Sequence, residues 1–287
     1  MFDYLAIYKE ADNISNRTQS RYLNILIIFL CMLVISSISF TYFNDFIQMK
    51  IINAIISFSI VILLFIFHLY NFQGNWYNAR AVAESIKTIS WRYVMKAEPY
   101  NISDNEAKFL FLKTIKHIID MNHDFKKCIE VDYANQQLIP DSMVNIRQLS
   151  FNERLNIYYE FRIIEQQNWY MGKSKYNKKR SNLFFCILII ISCVLSISIL
   201  LDLVLDKYDV IFPVSIILSL ISVFFTWVQT KKYKELEKSY ALTAHEINFI
   251  ATQKDNVISE DKISAYVEDS ENAFSREHTQ WIARKDK

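Results

Sequence analysis

The chain has 287 residues, 52% of them hydrophobic, with only two glycines, three prolines and a formal net charge of +2. Hairpin turns and phosphate-cradling loops consume glycine. Gly74 and Gly172 alone leave no GxGxxG fingerprint and no P-loop, so an all-helical chain is expected.

In chain order, residues 1–22 mix Asp3, Lys9, Glu10, Asp12, Arg17 and Arg21 and lack the charged start and cleavage site of a secretory signal. The first apolar run is therefore expected to stay on the protein. Four segments hold no Asp, Glu, Lys or Arg: Leu23–Asn44, Ile51–Tyr70, Leu183–Leu201 and Val210–Gln229. Each is close to the ~20 residues that cross a bilayer core. A charge at mid-span would cost about 2.5–3.5 kcal/mol, and none is present. The tips are expected at Asp45–Lys50 and Asp202–Asp209.

After the second run, Trp76 and Tyr77 suit a membrane interface. Ala79, Val82, Ala83, Ile86, Ile89 and Tyr93 then recur at helical spacing, and Pro99 closes the segment. Arg80 and Glu84 pair at i,i+4 on the other face, with Lys87 one turn on. Such a stripe in water needs a partner helix, so a helical bundle outside the membrane is expected. Ser103 with Glu106, and Ser150 with Glu153, read as capping boxes. In "HIIDMNHD" (117–124), His117, Asp120 and Asp124 share one face of a continuous helix, but a third strong ligand is lacking, so a polar surface is the reading and no metal site is expected.

The lead-in 150–182 ends in "KSKYNKKR", which places Lys173, Lys175, Lys178, Lys179 and Arg180 before the third span. These cations suit anionic lipid headgroups or topogenic charge, and the sharper alternative is a nucleotide or oligonucleotide site with stacking from Trp169, Tyr170 and Tyr176. Within the fourth span, Ser215, Ser219, Ser222 and Thr226 fall at offsets of 0, 4, 7 and 11, one face of a helix. Small polar residues in a span either pack helices closely or line a hydrated path. A weaker line runs through Asn53, Ser57 and His68, and the third span has the pair Ser192 and Ser196. After "KKYK" (231–234) an exit helix runs through 233–251, and Ser259 caps a last helix.

Cys31, Cys186 and Cys193 fall in spans and Cys128 outside them, with no CxxC spacing, so no disulfide framework is expected. No nucleophile stands in a catalytic context, so no catalytic residue, cofactor or enzyme activity is expected. The two tips hold only Lys50 and Lys207, and the other basic residues lie elsewhere, which puts both termini and the central segment in the cytoplasm.

The halves repeat in architecture: 1–139 and 140–287 each hold a lead-in, a two-span hairpin, an exit helix and a capped helix. "ARAVAESIKTISWRYVMKAEPY", "RLNIYYEFRIIEQQNWYMGKSKYN" and the tail "SYALTAHEINFIA" and "SEDKISAYVEDSENAFSREHTQWIARK", with Arg276, Glu277, His278 and Trp281, resemble the SLATT family, the two-transmembrane effectors associated with SMODS and SLOG domains. The resemblance covers nearly the whole chain as two fused units. It implies a pore-forming or membrane-disrupting effector of prokaryotic conflict systems in the bacterial inner membrane. It also implies a functional partner that makes a nucleotide signal, a nucleotidyltransferase-like enzyme, and brings no catalytic residues with it. Four spans with serine as their main polar residue cannot enclose a wet pore, so a homo-oligomer is expected, a tetramer among the options. The alternative is a non-conducting scaffold that recruits a cytosolic partner. A transporter ranks third, because intramembrane charges and Gly/Pro-broken spans are missing.

Overall fold

The structure is a computed structural model. It describes residues 2–129, 137–205 and 213–285, with the side chains of 205 and 276–285 outside the description. Among the described residues there is no strand, as the sequence predicts. The long helices are α1 (Ala6–Tyr42), α2 (Ile47–Tyr70), α3 (Phe72–Val94) and α4 (Asp104–Met121). The short α5 (His123–Lys126), α6 (Asp141–Gln148) and α7 (Phe151–Tyr158) follow. A π-helical segment, Tyr159–Ile164, leads into α8 (Glu165–Leu205), and then come α9 (Val214–Lys231), α10 (Tyr233–Ala251) and α11 (Glu260–Lys285).

Four of these helices are long and apolar enough to cross a membrane, which makes this a multi-pass membrane protein. The first tip is shorter than the sequence suggests. α1 runs to Tyr42 and α2 starts at Ile47, so Lys50 lies inside a helix. The Phe46 carbonyl already accepts from the Met49 and Lys50 amides, and no Gly or Pro stops the turn from propagating. α8 likewise carries Asp202 within its last turns, while the rest of the expected second tip, Lys207 included, lies outside the described residues. The described part of the fourth span begins behind Pro213.

The chain forms two compact units. A bundle unit takes 1–19, 73–174 and 238–287, and a span unit takes 20–72 and 175–237. The bundle unit holds most of the core. The α3 stripe supplies it as expected: Ala79, Val82, Ala83, Ile86 and Tyr93 are buried, with Ile89 packed against them. Arg80 and Glu84 make their i,i+4 pair at 3.4 Å. Lys87 departs from expectation. It is half-buried, its ammonium lies 5.9 Å from the Tyr4 ring, and burial followed by the nearby Arg162 charge pushes its pKa down. The N-terminal residues cover this edge of α3: Phe2 stacks on Trp91, and the Trp91 indole donates to the Tyr4 hydroxyl at 2.9 Å. Burial raises the Tyr4 pKa to about 12.

With so little glycine, the left-handed helix ends fall to other residues. Asn71 (φ 37) follows α2, Lys96 (φ 53) follows α3 and Lys232 (φ 49) follows α9. Around Lys96, Ala97 N–H donates to the Arg92 carbonyl and Lys96 N–H to Tyr93, the Schellman pattern. A left-handed backbone costs a non-glycine residue roughly 1 kcal/mol or more, least for Asn.

The two expected capping boxes differ. Ser150 and Glu153 form theirs, with the Ser150 amide donating to the carboxylate at 3.0 Å, and this bonding lowers the Glu153 pKa. Ser103 instead turns its hydroxyl onto Glu106 at 2.6 Å and makes no cap bond to the backbone of α4. Ser259 accepts from Lys262 N–H at 3.4 Å at the start of α11.

Candidate functional site

The bundle unit is organised around three buried arginines, Arg147, Arg154 and Arg162. A buried guanidinium must spend its donors, because an unpaired charge away from water costs several kcal/mol. Arg147 bonds Asp104 at 2.8 Å and donates to the carbonyls of Tyr93 and of Tyr100 (2.9 Å). Arg154 donates to the Met95 carbonyl at 2.7 Å and pairs with Glu260. Together they tie down the chain that leaves the left-handed end of α3.

Arg162 does something different. Its Nε and Nη2 grip both oxygens of Glu271 at 2.8 and 2.6 Å, and both side chains are fully enclosed. Tyr158 and Thr88 donate to the same carboxylate, each at 3.0 Å. Burial would lower the Arg162 pKa, yet the pairing with Glu271 outweighs it and the net shift is upward. The guanidinium also stacks 4.6 Å from the Phe274 ring. One carboxylate on α11 thus joins α3, α7 and the π-helical segment.

The π turn explains how this is possible. Arg154 and Arg162 are eight residues apart, which on a regular α-helix would turn the second well off the first's face. A π turn absorbs one extra residue and returns the interval to about two turns. Sequence reasoning treats 151–170 as plain helix and does not single out these arginines. The available signal was their seven- and eight-residue spacing beside the apolar Leu155 and Ile163.

The residues picked from sequence fall elsewhere. His117, Asp120 and Asp124 do not share one helix, because α4 ends at Met121 and Asn122 separates it from α5. Asp120 binds Lys126 at 2.7 Å, which lowers its pKa, and Asp124 accepts from Asn78 at 3.2 Å. No group of metal-ligating side chains assembles among the described residues.

In the span unit, Ser215 meets Thr41 of α1 at 2.7 Å, hydroxyl to hydroxyl. Ser219 and Ser222 donate to the carbonyls of Ile216 (2.8 Å) and Leu218 (3.0 Å) on their own helix. Ser215, Ser222, Thr226 and Ser57 are exposed, and Ser219 is half-buried. Asn53 is buried at 2% exposure, and neither end of its amide has a hydrogen-bond partner among the described residues. His68 is exposed near the end of α2, and Ser192 accepts, through its carbonyl, a bond from Ser196 at 3.1 Å. The basic residues Lys173, Lys175, Lys178, Lys179 and Arg180 are all exposed along α8, Lys173 within the bundle unit and the others within the span unit. Trp169 and Tyr170 pack against Tyr240 of α10, so neither ring is free to stack on a base. The side chains of Arg276, Glu277, His278 and Trp281 lie outside the described residues.

Four membrane-capable helices, two in each half of the chain, agree with two family models that each describe a two-transmembrane domain. Residues 6–155 match SMODS and SLOG-associating 2TM effector domain 3, and residues 158–281 match SMODS and SLOG-associating 2TM effector domain 1. The chain belongs to the SLATT family. No curated protein and no solved structure matches it. The two SLATT matches meet inside α7, within a single helix. Both spatial units draw residues from both SLATT units. Arg154 to Glu260 and Thr88 to Glu271 are bonds between the first SLATT unit and the second. SLATT domains are associated with antiviral conflict systems.

Proposed function

We propose that the protein is an oligomeric, non-enzymatic pore-forming effector of a prokaryotic antiviral defence system. It sits in the bacterial inner membrane with both termini and the bundle unit in the cytoplasm, as its Lys and Arg distribution favours. It opens on a nucleotide-derived signal or through a partner protein, with a nucleotidyltransferase-like enzyme as the source, and depolarises or permeabilises the membrane.

The observation that carries this reading is the exposed polar stripe of α9. Ser215, which shares a hydrogen bond with Thr41, is exposed like Ser222 and Thr226, so the stripe lies on the outer surface of one copy, beside exposed Leu218 and Phe225. A hydrated path built from that surface needs the same face of neighbouring copies, so conduction belongs to an oligomer. The Thr41–Ser215 bond supports the second reading, in which the stripe is a packing seam and the protein a non-conducting scaffold.

Ion flux from liposomes separates the two. Purified protein is reconstituted and tested alone, with cyclic and linear oligonucleotides, and with the products of neighbouring genes. Flux under at least one condition is expected. Absence of flux under all of them, with correctly inserted protein, would overturn the pore and leave the scaffold.

A further inference from the structure

At the end of the span unit where α8 enters and α9 leaves, basic residues and aromatic rings are concentrated. The apolar run of α8 begins at Leu183, and with a rise of about 1.5 Å per residue Arg180, Lys179, Lys178 and Lys175 lie roughly 5–12 Å before it. Phe184 stacks on Tyr233 with centroids 5.6 Å apart and lies 6.2 Å from Phe224. Those rings hold the start of the third span against the end of the fourth, so Lys231, Lys232 and Lys234 come to the same end of the hairpin.

Lys175, Lys178, Lys179, Arg180 and Lys234 are exposed, and none has a carboxylate partner among the described residues. The buried arginines of the bundle unit, by contrast, each hold a carboxylate. Arg180 lies 5.3 Å from the Tyr176 ring and Lys231 5.6 Å from Trp227. Tyr and Trp with cations beside them suit the boundary between hydrocarbon and headgroups, where the lipid phosphates are. Lys232 adds a cation at a left-handed position that glycine or asparagine would occupy with less strain. The equivalent end of the first hairpin offers Arg21 and His68, and its left-handed residue is the neutral Asn71.

We propose that this end of the second hairpin is a binding site for anionic phospholipid headgroups, selecting phosphatidylglycerol- and cardiolipin-type lipids over zwitterionic ones. The first hairpin makes no comparable site. The proposal rests on the membrane-spanning fold and is independent of whether the oligomer conducts. A soluble phosphate compound would have no use for a site at the hydrocarbon edge, so the lipid is the occupant.

The full-length protein in mild non-ionic detergent tests this. Its thermal unfolding midpoint is followed while phosphatidylglycerol, cardiolipin, phosphatidylcholine or, separately, ATP is added, and bound lipids are counted by native mass spectrometry. The two anionic lipids should raise the midpoint and stay bound, and phosphatidylcholine should not. Each removed charge near a membrane surface weakens binding about fivefold, so Lys178→Gln, Lys179→Gln and Arg180→Gln together should cost about a hundredfold. Lys179→Gln alone should cost about fivefold should the triple variant fail to fold. Lys232→Gly should also cost about fivefold, and Arg21→Gln should change little. Equal stabilisation by anionic and zwitterionic lipid, or triple or single variants that keep native affinity, would overturn the site. Stabilisation by ATP but not by phosphatidylglycerol would assign these cations to a soluble anion and equally end the lipid proposal.

Discussion

Glu271 is a carboxylate without water, and its stability depends on the three side chains that surround it. Two bonds from Arg162 and one each from Tyr158 and Thr88 replace the hydration it gives up. Such a pair adds little over an apolar pair of equal volume, but losing one partner strands the other charge at a cost of about 3–5 kcal/mol. Glu271→Ala should therefore lower the thermal unfolding midpoint sharply, and Arg162→Met added to it should recover a large part of the loss. If the double variant unfolds as early as the single one, the burial of an unpaired arginine is not what destabilises it. The arginines themselves were hidden in the sequence for a physical reason. A charged residue reads by default as solvated, and only contact with a distant segment, 109 residues away for Arg162 and Glu271, reverses that.

At the scale of the helix, what was legible followed periodicity. The α3 stripe was readable because apolar residues at helical spacing must all find one partner surface. The π-helical segment was not, since it has no residue signature and shows itself only through the interval between Arg154 and Arg162. Lys87 was misread for a related reason. Helical spacing places it away from the stripe, but the residue is half-buried, with its ammonium 5.9 Å from the ring of the N-terminal Tyr4. Two changes test this packing. Ile86→Asp puts a carboxylate at a fully buried position and should cost several kcal/mol. Lys87→Met keeps the aliphatic stem and removes a charge that burial disfavours, so its midpoint should equal or exceed that of the native chain. A clear loss on Lys87→Met would show that the ammonium, and not its stem, is what the site uses.

At the scale of the whole molecule, hydropathy exposed the four spans because a bilayer imposes length and forbids charge, two constraints visible in any sequence. The bundle was less legible. Each SLATT unit resembles a self-contained repeat in sequence, yet bonds such as Arg154 to Glu260 join the two inside one core, and no local pattern encodes a pairing across 106 residues. The polar stripe of α9 was visible as a helix face, but the bond from its first serine, Ser215, to Thr41 was not, because Thr41 belongs to another helix. The exposure of Ser215, Ser222 and Thr226 makes the pore reading testable residue by residue. In a background with the native cysteines replaced, since Cys31, Cys186 and Cys193 are exposed on the spans, single cysteines are placed along the stripe. Ser215→Cys is exposed too and loses the bond to Thr41, so it should react with water-soluble thiol reagents along with the rest of the stripe when flux is triggered. Ser222→Cys and Thr226→Cys lie on the surface that neighbouring copies would share, so they should react when flux is triggered and the reaction should block it. Ser219→Cys, half-buried between Ser215 and Ser222, should react more slowly. Uniform inertness along the stripe during measurable flux would make α9 a packing helix and move the conducting path to another face of the span unit.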